Sequence, residues 1–134
     1  MTVSPTASAR GAAKAIADDA EALAVAAALA DELLGAAARA VDTARADLTE
    51  ASAAEASIAV AAAKVHAATT AVEVSGALFE VSGTRSALNS LNLHRHWRDA
   101  RTHTHTLHDP ARWKIQHIGR YVLNRTLPPC HGLL

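Results

Sequence analysis

The densest group of chemically capable side chains lies between Arg101 and Pro110, where the sequence reads Arg-Thr-His-Thr-His-Thr-Leu-His-Asp-Pro. Histidine exchanges protons near neutral pH, so an imidazole here, at His105 or His108, could serve as a proton donor or acceptor. Asp109 and Pro110 are typical of a helix start, where backbone N–H groups attract anions. The pattern indicates a site for an anionic group, and the alternative is a solvated polar connector that caps the next helix.

A pair of arginines precedes this segment. Arg98 and Arg101 are three residues apart and therefore share one face of a predicted helix. Together they could hold a phosphate or a similar anionic group beside the histidines.

Other chemistries have weaker support in this segment. A zinc site would need three or four converging ligands, but the spacing of His103, His105 and His108 is not typical of zinc, and the single Cys130 supplies no cysteine pair. A Ser-His-Asp triad can be written with Ser86, but no nucleophile elbow precedes any serine. We therefore expect neither a metal nor a serine nucleophile.

Helices must position these side chains. The chain has 134 residues, which fits one domain, and its apolar half is dominated by alanine, with only 3% aromatic residues. Alanine favours helix and disfavours strand. The composition predicts an all-α fold, and the hydrophobic spacing predicts four helices.

The first two predicted helices form an antiparallel hairpin with a seam of small residues. Helical pattern starts within residues 12–16 and becomes firm after Asp18 and Asp19. The second helix begins at Asp47 or Thr49 and stops at Gly83. The expected inward faces contain Leu23, Ala26, Leu29 or Ala30, Leu33, Ala37, Val41, Ala44 and Leu48, and then Ala54, Ile58, Ala61, Val65, Ala68, Val72 and Leu78 or Phe79.

The third and fourth predicted helices span Leu88–Thr102 and Pro110–Asn124. Their expected core contacts are Leu91, Trp97 and Ala100, and then Trp113, Ile115, Ile118, Tyr121, Val122 and Leu123. We predict a flexible N-terminal segment over residues 1–17, a helical bundle domain over 18–127 and a C-terminal tail over 128–134.

The charge distribution is asymmetric. Residues 1–84 carry five basic and eleven acidic side chains, a net −6, whereas residues 85–134 carry eight basic and two acidic ones, a net +6. The basic part suggests an anionic partner, unless the two halves simply neutralise each other in the fold. Nucleic acid is disfavoured because aromatic residues are scarce.

Compartment signals are few. There is one cysteine, no evident signal peptide and no long strongly apolar run. These features predict a cytoplasmic protein with no membrane partner.

Several short segments of the sequence follow one another in an order that can be compared with known families. These are Leu78-Phe-Glu-Val-Ser-Gly-Thr-Arg-Ser86, then Asn92-Leu-His-Arg-His-Trp-Arg-Asp-Ala-Arg101, Thr-His, Leu107-His-Asp-Pro110, Trp113-Lys114 and Ile118-Gly-Arg-Tyr-Val-Leu123. The order resembles the C-terminal helical domain of the acyl-CoA dehydrogenase-like flavin monooxygenases. The likeness is most specific over residues 78–129 and weaker back to Asp18.

The resemblance implies a four-helix bundle that packs as a dimer or tetramer. It implies that Gly83, Thr84, Arg85 and Ser86 lie near a flavin of an adjoining subunit, and that Arg101 and His105 reach the isoalloxazine side. It implies a catalytic role for His108, which would hydrogen-bond the flavin-peroxide species and help protonate it. The implied cofactor is reduced FMN from a separate reductase, with FAD as the alternative, acting on a small organic substrate.

The sequence departs from the family pattern in two ways. An extra Thr-His pair lengthens the segment before His108, and no Glu follows Glu80, so the base of the common dehydrogenases is absent. The sequence also begins without the family's N-terminal helical and β domains. We therefore expect this chain to be inactive alone, and the alternative function is a non-catalytic helical oligomerisation module.

Overall fold

Four α-helices form the part of the protein that the structure describes. The computed structural model describes residues 7–104 and 111–130, and this part contains no strand. The helices are α1 (Ala7–Ala46), α2 (Glu50–Ser82), α3 (His94–Thr104) and α4 (Ala111–Asn124), and a short 3₁₀ helix, Gly83–Ala87, follows α2. The predicted all-α, four-helix fold is confirmed.

Helices α1 and α2 form the predicted antiparallel hairpin. The turn ends at Thr49, whose side-chain oxygen accepts a hydrogen bond from the Ser52 N–H at 3.0 Å, while Ser52 Oγ accepts from the Thr49 N–H at 2.9 Å. This reciprocal cap satisfies two N–H groups that the helix itself leaves unpaired. Farther along the hairpin, the His66 imidazole lies 2.9 Å from the Ala26 carbonyl oxygen and joins the two helices.

Almost all of the buried apolar side chains in the described parts of α1 and α2 are alanine. Ala61 is fully buried, and the other buried apolar side chains are Ala37, Ala44, Ala54, Ala56, Ile58 and Ala63. Most of the predicted inward faces is buried or half-buried. Leu48 is the clear exception, because it lies in the turn and is 79% exposed.

Helix α1 begins earlier than the sequence pattern indicated. It starts at Ala7 rather than within residues 12–16. Alanine is abundant from Ala7 onward, and extending a formed helix adds one hydrogen bond for each residue fixed. An ion pair between Lys14 and Asp18, one helical turn apart, adds local support.

Helix α2 is the centre of the bundle, because the main contacts of α1, α3 and α4 are all with α2. The buried side chains of α4 are Lys114 and His117, and Ile118 and Tyr121 are half-buried. These four residues follow the three- and four-residue spacing of one helix face.

The predicted core residues of α3 and α4 are partly wrong. Exposed side chains among them are Leu91, Trp97, Trp113, Ile115, Val122 and Leu123. In α4 apolar residues occur on all sides of the helix, so hydrophobicity alone did not identify the face that meets α2. In the third predicted helix, Asn92 adopts a positive φ of 46°, and the helix begins only at His94 rather than at Leu88.

No helix in the described part of the chain combines the length and apolarity needed to cross a membrane.

Candidate functional site

The turn after α2 carries four of the predicted site residues. Gly83 ends α2 with a φ of 55°, and its N–H donates to the Phe79 carbonyl oxygen. A positive φ favours glycine because a side chain would meet the backbone there. The predicted helix stop at Gly83 is confirmed, and the chain then turns sharply into the 3₁₀ helix.

The side chains on this turn divide into two groups. Those of Thr84 and Arg85 are exposed, whereas Ser86 is only 2% exposed. The Ser86 hydroxyl shares a short hydrogen bond with the Ser82 hydroxyl, and Ser82 Oγ donates to the Leu78 carbonyl oxygen at 2.5 Å. Thr84 and Arg85 can therefore meet a ligand, while the Ser86 hydroxyl is engaged inside the protein.

A second contact holds the same turn from the side of α3. The Nδ1 atom of His94, in the first turn of α3, lies 3.2 Å from the Ser86 carbonyl oxygen. No sequence pattern indicated this contact, because it depends on the path of the chain between Ala87 and His94.

Arg101 lies on the same face of α3 as His94, since seven residues correspond to almost two full helical turns. The two positions are about 10 Å apart along the helix axis at 1.5 Å per residue. Arg101 is exposed, and its guanidinium carbon lies 5.7 Å from the centre of the Trp97 ring. Its predicted contact with a cofactor stays a prediction.

The two predicted histidines, His105 and His108, lie outside the described residues, as do Asp109 and Pro110. Their roles stay predictions. Of the three histidines considered for zinc, the structure describes only His103, which is exposed. Within residues 7–104 and 111–130, no group of three or more histidine, cysteine or acidic side chains could hold a metal ion.

A basic cluster lies where α2, α3 and α4 meet. Lys64, His103 and Lys114 line one small cavity, and Lys114 is only 4% exposed. Burial lowers the pKa of Lys114. Burial, followed by the positive charge of Lys114, lowers the pKa of Lys64. This cluster was not predicted, since Lys64 and Lys114 are distant in sequence and each resembles an ordinary surface lysine.

The exposed turn presents hydrogen-bond donors that an anionic group could accept. The Arg85 guanidinium can donate two parallel hydrogen bonds to an anionic oxygen, and the Thr84 hydroxyl adds a further donor. Donors held on a turn that is fixed at Ser86 can bind an anion with little loss of side-chain and backbone freedom.

Comparison with protein families gives one match that covers most of the chain. The family model described as acyl-CoA dehydrogenase, C-terminal domain, matches residues 2–110. No solved structure matches the chain significantly.

Several curated proteins match about half of the chain. The protein named "Probable FMNH2-dependent monooxygenase SfnC" from Pseudomonas putida is 41% identical over 71 residues, which are 53% of this chain and 18% of that protein. Dibenzothiophene monooxygenase from Mycolicibacterium goodii is 43% identical over 65 residues, 48% of this chain and 15% of that enzyme. Its counterpart from Rhodococcus erythropolis is 38% identical over 69 residues, 52% and 16% of the two chains. The matched segment thus spans less than a fifth of each relative.

Proposed function

Since the chain belongs to the acyl-CoA dehydrogenase C-terminal domain family, we propose that it serves as the C-terminal domain of a reduced-flavin-dependent monooxygenase. The chain resembles flavin monooxygenases over about half of its length. The observation that carries the proposal is the turn at Gly83–Ser86, which presents Thr84 and Arg85 to solvent on a backbone that is fixed at the buried Ser86.

The proposed cofactor is reduced FMN, with FAD as the alternative. Support comes from a relative whose name specifies FMNH2. Reduced flavin, when bound, supplies the electrons that activate oxygen for transfer to an organic substrate. A separate flavin reductase would provide it in the reduced form.

Individual residues would hold the cofactor in different ways. Arg85 and Thr84 would donate hydrogen bonds to anionic and polar groups of the flavin of an adjoining subunit, and Gly83 gives the turn its shape. Arg101 and His105 would contact the isoalloxazine side of a flavin. His108 would hold or move a proton there, because imidazole titrates near neutral pH.

The proposed assembly is a cytoplasmic homo-oligomer, a dimer or tetramer, in which other domains complete the pocket for flavin and a small organic substrate. The exposure of large apolar side chains on several helices supports this proposed assembly. These side chains are Val25, Leu34, Val81, Ile115 and Leu123. A groove of about 640 Å³ between α1 and α2 has a floor that includes Leu34, Val41 and Val60. Apolar surface of this kind is typical of protein interfaces. We propose no nucleic-acid or membrane partner.

The same groove supports a second candidate, a non-catalytic oligomerisation module. In that case the apolar hairpin would bind another protein chain, and the exposed turn at Thr84 and Arg85 would have no ligand.

Titration of reduced and oxidised FMN into the purified chain, with fluorescence and light scattering read together, tests the two candidates. We expect saturable binding that Arg85→Ala weakens about tenfold, since a hydrogen bond to a charged group contributes about 1.5–3 kcal/mol. Arg39→Ala, an exposed arginine on α1, is the matched control and should bind FMN like the unmodified chain.

Two results of this titration would count against the proposed flavin site. An assembled, helical chain that binds no FMN, even when it is mixed with the other domains of the proposed assembly, would favour the oligomerisation module. Equal FMN affinities for Arg85→Ala and Arg39→Ala would remove the turn from the flavin site.

A further inference from the structure

We propose that His94 is a positioning residue that fixes the direction in which the 3₁₀ turn presents Thr84 and Arg85. The inference rests on the proposed function, because those two side chains need a precise direction only if they bind flavin. It adds to the site a residue that would not touch the cofactor.

The first observation is the contact between His94 and the main chain of the turn. His94 Nδ1 lies 3.2 Å from the Ser86 carbonyl oxygen, and the ring is half-buried. A carbonyl oxygen can only accept, so Nδ1 carries the proton in this hydrogen bond. The bond closes a loop between the end of the 3₁₀ helix and the first turn of α3.

The intervening backbone is itself well ordered by hydrogen bonds. The N–H groups of Leu91 and Asn92 both donate to the Leu88 carbonyl oxygen, at 3.1 and 2.8 Å. Asn92 takes a positive φ of 46°, a conformation that asparagine tolerates better than most residues. This tight turn brings α3 back so that its first residue reaches Ser86.

The second observation is that Ser86 is held from two sides. Its hydroxyl is hydrogen-bonded to the Ser82 hydroxyl of α2, and its carbonyl oxygen accepts a hydrogen bond from His94 Nδ1 of α3. Arg85 directly precedes Ser86 in the chain. Holding Ser86 through both its hydroxyl and its carbonyl oxygen therefore restricts the backbone from which the Arg85 side chain leaves. Small displacements of a binding group reduce its contribution steeply, so a fixed backbone has functional value here.

The experiment compares four forms of the full chain: unmodified, His94→Ala, His94→Asn and His96→Ala. The Asn amide nitrogen can take the place of imidazole Nδ1 as the donor, so His94→Asn is the conservative variant. His96 is an exposed histidine on the same helix and serves as the control. Two quantities are measured, the amide hydrogen exchange of residues 84–88 and the affinity for reduced FMN.

We expect His94→Ala to speed exchange at the Leu88 amide about tenfold, because that amide donates to the Arg85 carbonyl oxygen at 3.1 Å and reports opening of the turn. We expect the same variant to weaken FMN binding several-fold. His94→Asn should restore much of both, and His96→Ala should change neither.

Three results would overturn the proposal, and they are distinguishable. Unchanged exchange in His94→Ala would show that His94 does not hold the turn, whatever the flavin result. Faster exchange with unchanged FMN affinity would remove the positioning role while leaving the proposed function intact. No FMN binding by the unmodified chain, even when it is mixed with the other domains of the proposed assembly, would overturn the proposed function, and the positioning role with it.

Discussion

The α1–α2 hairpin and the region from Gly83 to Cys130 bury different kinds of side chain. Apart from Thr70 and Ser75, the hairpin buries alanine and one isoleucine. The later region buries polar side chains, namely Ser86, Lys114 and His117, and leaves most of its large apolar ones exposed. The hairpin helices are packed mainly through alanine. The later region buries polar groups at a cost in stability, which is common in functional regions.

The physical basis of this difference is the cost of burial. Two helices with alanine at their contact can approach closely, and each alanine buries little area but leaves no polar group unsatisfied. Burying serine, lysine or histidine costs free energy unless hydrogen bonds or charges compensate. Mutations in the hairpin should therefore change mainly the free energy of unfolding. Mutations in the later region should also change how that free energy depends on pH, or how the chain binds a ligand.

The largest expected effect lies at Ala61, the most deeply buried alanine of α2. Ala61 is fully buried, so Ala61→Leu should lower the free energy of unfolding by about 1–3 kcal/mol through overpacking. Urea denaturation followed by circular dichroism measures it. The control is Ala51→Leu at an exposed position of the same helix, which should change stability by less than about 0.5 kcal/mol. Equal stabilities for the two variants would mean that the surroundings of Ala61 are not tightly packed.

A smaller effect is expected at the start of α2. Thr49→Ala removes the side-chain acceptor of the Ser52 N–H and should cost about 1 kcal/mol. Thr69→Ala removes a threonine on the exposed face of the same helix, where the hydroxyl only returns to the Val65 carbonyl oxygen at 3.0 Å, and should cost less. Thermal unfolding of both variants gives the comparison. A Thr69 variant that is the less stable of the two would contradict the importance of the cap.

The smallest expected effect belongs to the later region and depends on pH. Burial lowers the pKa of Lys114 below 10.5 in the folded chain, so between the two pKa values the unfolded chain binds more protons. Stability should therefore rise with pH across that window. Lys114→Met should flatten this rise, which denaturant titrations at several pH values would show.

The matched control is Lys14→Met, which replaces an exposed lysine on α1. It should keep the slope of the unmodified chain. A Lys114 variant whose pH dependence parallels that of the control would show that the buried ammonium group imposes no such penalty.

The sequence predicted the hairpin better than the later region, for reasons visible in particular residues. The hydrophobic spacing that places Ala37, Ala54 and Ala61 inward extends over many turns, so single exceptions such as Leu48 do not hide it. In α4 only a few turns are available, and apolar residues such as Trp113 and Ile115 lie outside the face that meets α2. The spacing therefore could not identify Lys114 as buried.

The turn after α2 was predictable in its position but not in its internal contacts. The residue types at Gly83 and Arg85 carry the resemblance to the family, and the Gly83 stop follows from backbone sterics. That Ser86 faces the interior while Arg85 faces solvent depends on the 3₁₀ geometry of the turn. The contact between His94 and Ser86 depends on a positive φ at Asn92, which local sequence allows but does not require.

Because α1, α3 and α4 each make their main contacts with α2, the energetic effects of mutations should combine in a pattern set by that arrangement. Paired substitutions on α1 and α4 have few shared neighbours, so their effects on stability should add. Paired substitutions that include the facing part of α2 should deviate from additivity, since contacting residues change each other's surroundings. Variation could then accumulate independently on the three outer helices, while α2 must remain compatible with all of them.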